Sequence, residues 1–219
     1  MNRLCRACYK KKAEPVYKSK KIPEYIWPST NKVKLSKCNL FICKNCGHIQ
    51  LQNFSPKKIQ TFYGSKTYVM EDIKAQIIRK KTIENKLGKN YFKNKKILEI
   101  GAGTNPFLRK PNKNHFLLDF KVDKEILKKH KKNAISSSIE SNKILTKIKN
   151  NDIVIMLHTL EHLSSPGKIL KKLILLTKDT SDIIIEVPNF KNYINKIPYY
   201  AVFHQHMSMF TEETLINLF

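Results

Sequence analysis

From Lys96 onward, short and almost wholly apolar runs alternate with lysine-rich amphipathic stretches, and this alternation restricts the fold more than any other feature. KILEIGAG, HFLLDFKV, DIVIMLHTL and DIIIEVP read as strands, and between them lie DKEILKKHKK, SNKILTKIK and PGKILKKLILLT. Pro166 suits the first turn of the last of these helices, where no backbone donor is needed. Strands that are apolar on both faces need helices to cover them, so the pattern predicts an α/β fold with a doubly wound, mostly parallel sheet. Ala134-Ile135 is a candidate short third strand, which makes DIVIMLHTL the fourth.

The chain's 219 residues suit one such domain plus a small module. Three segments follow. Residues 1–54 carry the cysteines and lack helical periodicity, with Pro15, Pro23 and Pro28 interrupting any long element. Residues 55–95 form a connector. Its Met70 to Leu87 stretch has Met70, Ile73, Ile77 and Leu87 near one face, Glu71 and Asp72 in the first turn, Lys86 in the last, and Gly88 as the stop. Residues 96–219 hold the sheet. No run approaches the roughly 18 apolar residues of a membrane span, and MNRLCRACYKKK lacks a signal-peptide core. A cytoplasmic location is the expectation, and there cysteines serve as metal ligands or free thiols rather than disulfides.

Cys5-x2-Cys8 and Cys43-x2-Cys46, separated by 34 residues, supply four thiolates for a closed tetrahedral shell. That donor set predicts structural zinc that folds the module and takes no part in chemistry. Gly47 suits the turn that aims backbone N–H groups at sulfur, whereas Cys38 has no partner at ligand spacing and reads as a small core residue. His48 is surplus to four sulfurs and is expected at the surface.

The formal charge is +25, and 19 of those excess charges precede Ile97. Such a field attracts nucleic acids, nucleotide-linked metabolites and acidic membranes. Yet 38 of the 42 basic residues are Lys, so the bidentate reader of bases is scarce and nucleic-acid recognition is the weaker expectation.

In ILEIGAGTN a buried strand runs directly into Gly101, Ala102 and Gly103, where a ligand can approach backbone at the strand's carboxyl end. Asp119 closes the next strand 18 residues after Gly101, placed to accept hydrogen bonds from ribose hydroxyls. A dinucleotide would want a third glycine where Pro106 stands. An adenosyl cofactor carrying a cationic methionine wants an acid at the strand end, and Glu99 is there. EIGAGTN and DIVIMLHTLEHLSSP resemble the first and fourth motifs of class I S-adenosylmethionine-dependent methyltransferases, a Rossmann-like fold. The resemblance implies that Glu99, Gly101, Ala102, Gly103 and His158 line the cofactor and that Asp119 holds its ribose, with Asn105 in place of the customary glycine.

The order of parts extends the resemblance. A four-Cys module ending CKNCGHIQL, the connector FYGSKTYVMED, the cofactor domain, EVPN and FHQHMSMFTEETL together resemble the zinc-containing nucleotide-sugar C-methyltransferases. The likeness implies S-adenosylmethionine and zinc as cofactors and a nucleotide-sugar or phosphorylated-sugar substrate of the kind used in surface-polysaccharide biosynthesis. It marks His206 as the base, because the family places a Glu-His pair here. The pair reads Gln205-His206 in this chain and the preceding Tyr is Phe203, so the carboxylate that would support the imidazole is missing at that position. O-methylation of a sugar or a related phosphorylated group therefore competes with C-methylation. His158 is a second candidate base or substrate-orienting group, and Tyr63, Tyr68 and His204 are candidate substrate contacts. Glu161 and His162 have a plainer reading, the first fixing backbone and the second capping a turn.

Two other functions compete with this one, a zinc protein that binds or methylates nucleic acid and a non-catalytic assembly subunit. Thr211 is placed to cap a helix with Glu212 and Glu213 in its first turn. The usual methyltransferase sheet continues with two more strands after such a helix. The expectation is a shortened chain, or a sheet edge covered by a partner or a second copy.

Overall fold

The structure is a computed structural model that describes residues 3–23, 35–52, 73–103, 106–108, 112–122, 124–141, 144, 148–196, 202 and 205–219. Packing divides the chain into two compact units. The first gathers the described residues of 1–69, 158–172 and 186–219, and the second those of 70–157 and 173–185.

The second unit holds the sheet expected from the apolar runs. Its strands are β4 (Ile97–Ile100), β5 (His115–Asp119), β6 (Ala134–Ser136), β7 (Ile153–Leu157) and β8 (Asp182–Glu186), in the spatial order β6-β5-β4-β7-β8. Glu186 itself packs with the first unit. β4 pairs in parallel with both β5 and β7, and β5 with β6. Chain order reverses direction at β4, the position in an open α/β sheet at whose carboxyl end ligands bind. The short third strand at Ala134 is present. β4 is buried on both faces, which is why its sequence shows no polar alternation. Ile97, Ile153 and Ile155 pack with Phe92 and Phe107, while Leu117 packs with Ala102, Val122, Ile126 and Ala134. Ile126 comes from the helix Lys124–His130 (α2), within the stretch read as helical.

The connector helix α1 spans Ile73–Leu87. Gly88 ends it at φ +92° and donates its N–H to the Glu84 carbonyl at 2.8 Å. Met70, Glu71 and Asp72, read as the helix start, lie outside the described residues. The helix α3 (Pro166–Leu176) begins at Pro166 as expected.

The first unit is built on a four-stranded sheet, β1 (Ala13–Pro23), β2 (Leu35–Cys43), β3 (Ile49–Leu51) and β9 (Ser208–Met209), in that spatial order and antiparallel throughout. The C-terminal part of the chain thus completes the sheet of the cysteine segment: Ile49 pairs with Met209 and Gln50 with Ser208. Cys38 packs with Leu40, Leu51 and Met209 and serves as the small core residue it was read to be. Two short helices complete this unit, α4 (Phe190–Lys196) and α5 (Glu212–Ile216). Thr211 caps α5, its hydroxyl accepting from Thr214 N–H while Thr214 Oγ1 accepts from Thr211 N–H. Among the described residues, no helix is long and apolar enough to cross a membrane.

Candidate active site and metal centre

The glycine loop follows β4 directly. Gly101 and Gly103 take φ values of +79° and +55°, left-handed backbone that a β-carbon would strain, so glycine is required by the turn itself. Gly101 N–H donates to the Leu118 carbonyl at 2.7 Å, which locks the loop to the end of β5. Gly103 N–H donates to Asp119 Oδ2 at 2.9 Å, and Lys121 N–H donates to Asp119 Oδ1 at the same distance. A carboxylate oxygen has two acceptor positions, so one on each oxygen remains for a ribose hydroxyl. Burial raises the Asp119 carboxyl above its ordinary value, and the two N–H donors oppose that. A β-carbon at Gly103 would meet no atom within 4 Å, leaving the backbone face open to a ligand. Ala102 turns its methyl into the core, so only its backbone faces outward. The loop and Asp119 therefore fit an adenosine.

Glu99, in β4, has its carboxylate engaged by protein groups. It is buried, and both carboxylate oxygens accept from Phe107 N–H, at 2.9 and 3.0 Å. His115 Nε2 lies 2.8 Å from its Oε2, in a pocket with no solvent exposure. The carboxylate thus ties the segment after the glycine loop to the sheet. Thr104 and Asn105, between them, lie outside the described residues.

A second cluster forms in the first unit, where residues 158–162 meet residues 205–207. Met207 N–H donates to the Glu161 carbonyl at 2.9 Å, holding the two segments together. Glu161 is 1% exposed, and neither of its carboxylate oxygens accepts a hydrogen bond. Three imidazoles surround it. His158 Nδ1 is 3.4 Å from Oε1, His162 Nε2 3.8 Å and His206 Nε2 3.9 Å. His162 Nδ1 lies 2.8 Å from the Gln205 carbonyl oxygen, which can only accept, so that nitrogen carries the proton. His158 has φ +47°, a conformation rare outside glycine and asparagine, and its Nε2 sits 3.0 Å from Glu186 Oε1. Burial opposes the charge on Glu161, but the imidazoles of His162, His158 and His206 outweigh it and hold the carboxyl below its usual range. Burial pushes the His206 imidazole down, so it is neutral at pH 7.

Glu161 holds backbone through its carbonyl, which accepts from Met207 N–H, while its carboxylate faces the three imidazoles. His162 ties down the Gln205 backbone rather than only capping its turn. Neither sequence segment signals the cluster alone, because 43 residues separate His162 from Gln205. Glu186, the carboxylate at His158, opens the EVPN segment of the resemblance, but nothing in that segment points to His158. Tyr63, Tyr68 and His204, along with Phe203, lie outside the described residues.

The four cysteines converge as their spacing requires. Cys5 and Cys46 sulfurs are 3.7 Å apart, as are those of Cys8 and Cys43, and all four lie within 4.8 Å of one another. Zn–S bonds of about 2.3 Å in a tetrahedron put sulfurs about 3.8 Å apart, so the set fits one such ion. Backbone N–H groups of Cys8 and Ala7 point to the Cys5 sulfur and that of His48 to Cys46, while Asn45 Nδ2 donates to Cys8 Sγ at 3.7 Å. Burial pushes the Cys5 thiol up to about 11 and that of Cys46 higher still. A cation among them would reverse that preference. His48 is not at the surface: it is fully buried, its Nε2 3.2 Å from Ser208 Oγ and its ring 5.1 Å from that of Phe210. The sequence missed it because the strand that covers it comes from the other end of the chain.

A profile of the methyltransferase-domain family matches residues 73–219, and the chain belongs to that family. Among solved structures, the plantazolicin methyltransferase BpumL in complex with S-adenosylhomocysteine is 17% identical, with a TM-score of 0.45 over 74% of this chain and 67% of that one. A SAM-dependent methyltransferase from Archaeoglobus fulgidus is 22% identical, with a TM-score of 0.42 over 64% and 66%. The N-terminal domain of EvdMO1, solved with S-adenosylhomocysteine and D-fucose, is 13% identical, with a TM-score of 0.41 over 75% and 85%. No curated protein matches the chain.

Proposed function

We propose that this methyltransferase acts on a nucleotide-linked or otherwise phosphorylated sugar in the cytoplasm, with an imidazole of the Glu161 cluster removing the acceptor's proton. The observation that carries this reading is the carboxylate of Glu161, 3.9 Å from His206 Nε2. Gln205 cannot support an imidazolium, and Glu161 supplies that support from a different loop.

Bound S-adenosylmethionine would supply an electrophilic methyl on a sulfonium. The chain's own part is to hold the adenosine with Gly101, Gly103 and Asp119 and to manage the acceptor proton. His206 or His158 would take the proton from the acceptor atom that the methyl joins. Glu161 Oε1 stands 3.9 Å from His206 Nε2 and 3.4 Å from His158 Nδ1, near enough to stabilise charge on either ring. Four thiolates on one zinc would hold the N-terminal lobe together without an open coordination position. The excess of lysine would draw a diphosphate.

Incubation with the methyl donor and a panel of nucleotide sugars, read by mass spectrometry, tests the reading, and NMR of the product tells carbon from oxygen transfer. We expect a gain of one methyl mass, and His206→Ala to slow the transfer at least about 100-fold. A full-rate His206→Ala/His158→Ala double variant contradicts the assignment of the base.

A further inference from the structure

We propose that Glu161, His162 and His206 bind a divalent transition-metal cation, at a site separate from the four cysteines. Glu161 Oε1 faces His162 Nε2 at 3.8 Å and His206 Nε2 at 3.9 Å, and the three ligand atoms all lie within 4.8 Å of one another. The hydrogen bond from His162 Nδ1 to the Gln205 carbonyl fixes a proton on the far side of the ring, the arrangement in which a metal-ligating imidazole leaves Nε2 for the ion. His162 Nε2 therefore turns a lone pair toward a carboxylate that accepts no hydrogen bond and has no water-exposed oxygen. Lone pair against lone pair in a buried site is unfavourable, and a cation between them resolves it.

The donor set is that of His2Glu sites, and a backbone carbonyl orienting the outer nitrogen of a ligating imidazole is the usual support. Bonds of about 2.1 Å in a tetrahedron separate ligand atoms by about 3.4 Å, so side-chain shifts under about 1 Å close the shell. Three protein ligands leave a position open. It faces a cavity of about 10 Å³ bounded by Glu161, His206, Pro188, Phe190, Tyr193 and Met209, room for about one water or one acceptor oxygen. A cation there would lower the pKa of a bound hydroxyl, which favours oxygen as the methylated atom. In this state His206 is a ligand through Nε2 and not the base. Only that role rests on the methyltransferase reading, whereas the binding itself does not.

The test has two arms on the full chain: metal content after loading with zinc and dialysis against metal-free buffer, and, in a separate sample given only the one equivalent of zinc that the four thiolates take first, Mn2+ titration read by electron paramagnetic resonance. Mn2+ favours nitrogen and oxygen over thiolate, so it reports this site and not the cysteines. We expect Glu161→Gln to hold one zinc fewer than wild type and to lose the bound Mn2+ population. If Glu161→Gln does not fold, His162→Ala serves in its place, with S-adenosylhomocysteine binding as the check that the cofactor site survives. A wild-type chain that retains no Mn2+, or variants that retain as much zinc as wild type, overturns the proposal. Intact S-adenosylhomocysteine binding in the same samples would keep the methyltransferase reading standing.

Discussion

Replacing Gly167 by alanine sets two opposite expectations against each other. In an ordinary helix the change stabilises by up to about 1 kcal/mol, because glycine is the costlier helix former. Here α3 begins against the first cysteine turn. Gly167 N–H donates to the Arg6 carbonyl at 3.3 Å, Lys168 N–H to the Tyr9 hydroxyl at 2.9 Å, and a β-carbon at 167 would stand 1.9 Å from the Ala7 carbonyl oxygen and 2.8 Å from its carbon. A normal carbon–oxygen contact is about 3.4 Å, so the peptide must retreat by about 1.5 Å. It cannot do so alone, because Ala7 is packed with Cys5, Cys43 and Cys46 in a buried cluster and Cys8, on its other side, packs against that cluster. Overpacking of this kind costs about 1–3 kcal/mol, which for a chain of this length lowers Tm by roughly 3–10 °C. Thermal unfolding followed by circular dichroism measures it, with zinc release to a chromogenic chelator as a second readout. We expect a lower Tm and faster release in Gly167→Ala. An unchanged or raised Tm would refute the reasoning, since it would mean that the helix start and the cysteine turn do not touch as described.

Two further outcomes follow from buried titratable groups. Cys43→Ser, or a strong chelator, should lower the unfolding temperature of the first unit and leave S-adenosylhomocysteine binding by the second detectable, as read by isothermal titration calorimetry; an unchanged melt contradicts a structural ion at the cysteines. His130 is buried beside His115, and burial, reinforced by that neighbour, lowers its pKa. The unfolded chain then takes up a proton near pH 6.5 that the folded chain resists, so the stabilisation is full above pH 6.5 and is lost as pH falls below it. Urea unfolding at pH 7.5 and 5.5 should show that loss, and His130→Asn should reduce it.

The second unit was legible because its chemistry is local. A buried parallel strand has no polar alternation, so ILEI and IVIML announce themselves, and even the three-residue strand at Ala134 could be named from its place between a helix and a loop. Gly101, Gly103 and Asp119 are readable for the same reason, since the turn and the strand end that need them are adjacent in sequence. The first unit was harder. Its sheet joins Ile49–Leu51 to Ser208–Met209 across the whole chain, and nothing in either segment names the other. The burial of His48 depends on that pairing, and the meeting of Glu161 with His206 likewise joins segments distant in sequence. Glu99 shows a further limit, because the motif marks an acid at the strand end but not that Phe107 N–H and His115 take up its carboxylate. The Gly167 contact was equally hidden, since the crowding comes from Ala7.

The central claim is that the loop after β4 holds an adenosine whose ribose reaches Asp119. Isothermal titration calorimetry of the chain with S-adenosylhomocysteine and, separately, with NAD tests it directly. The account predicts saturable binding of S-adenosylhomocysteine near one per chain, at least about 10-fold weaker in Asp119→Ala, and no binding of NAD. Binding of NAD in its place, or an Asp119→Ala chain that binds S-adenosylhomocysteine as tightly as wild type, would contradict it.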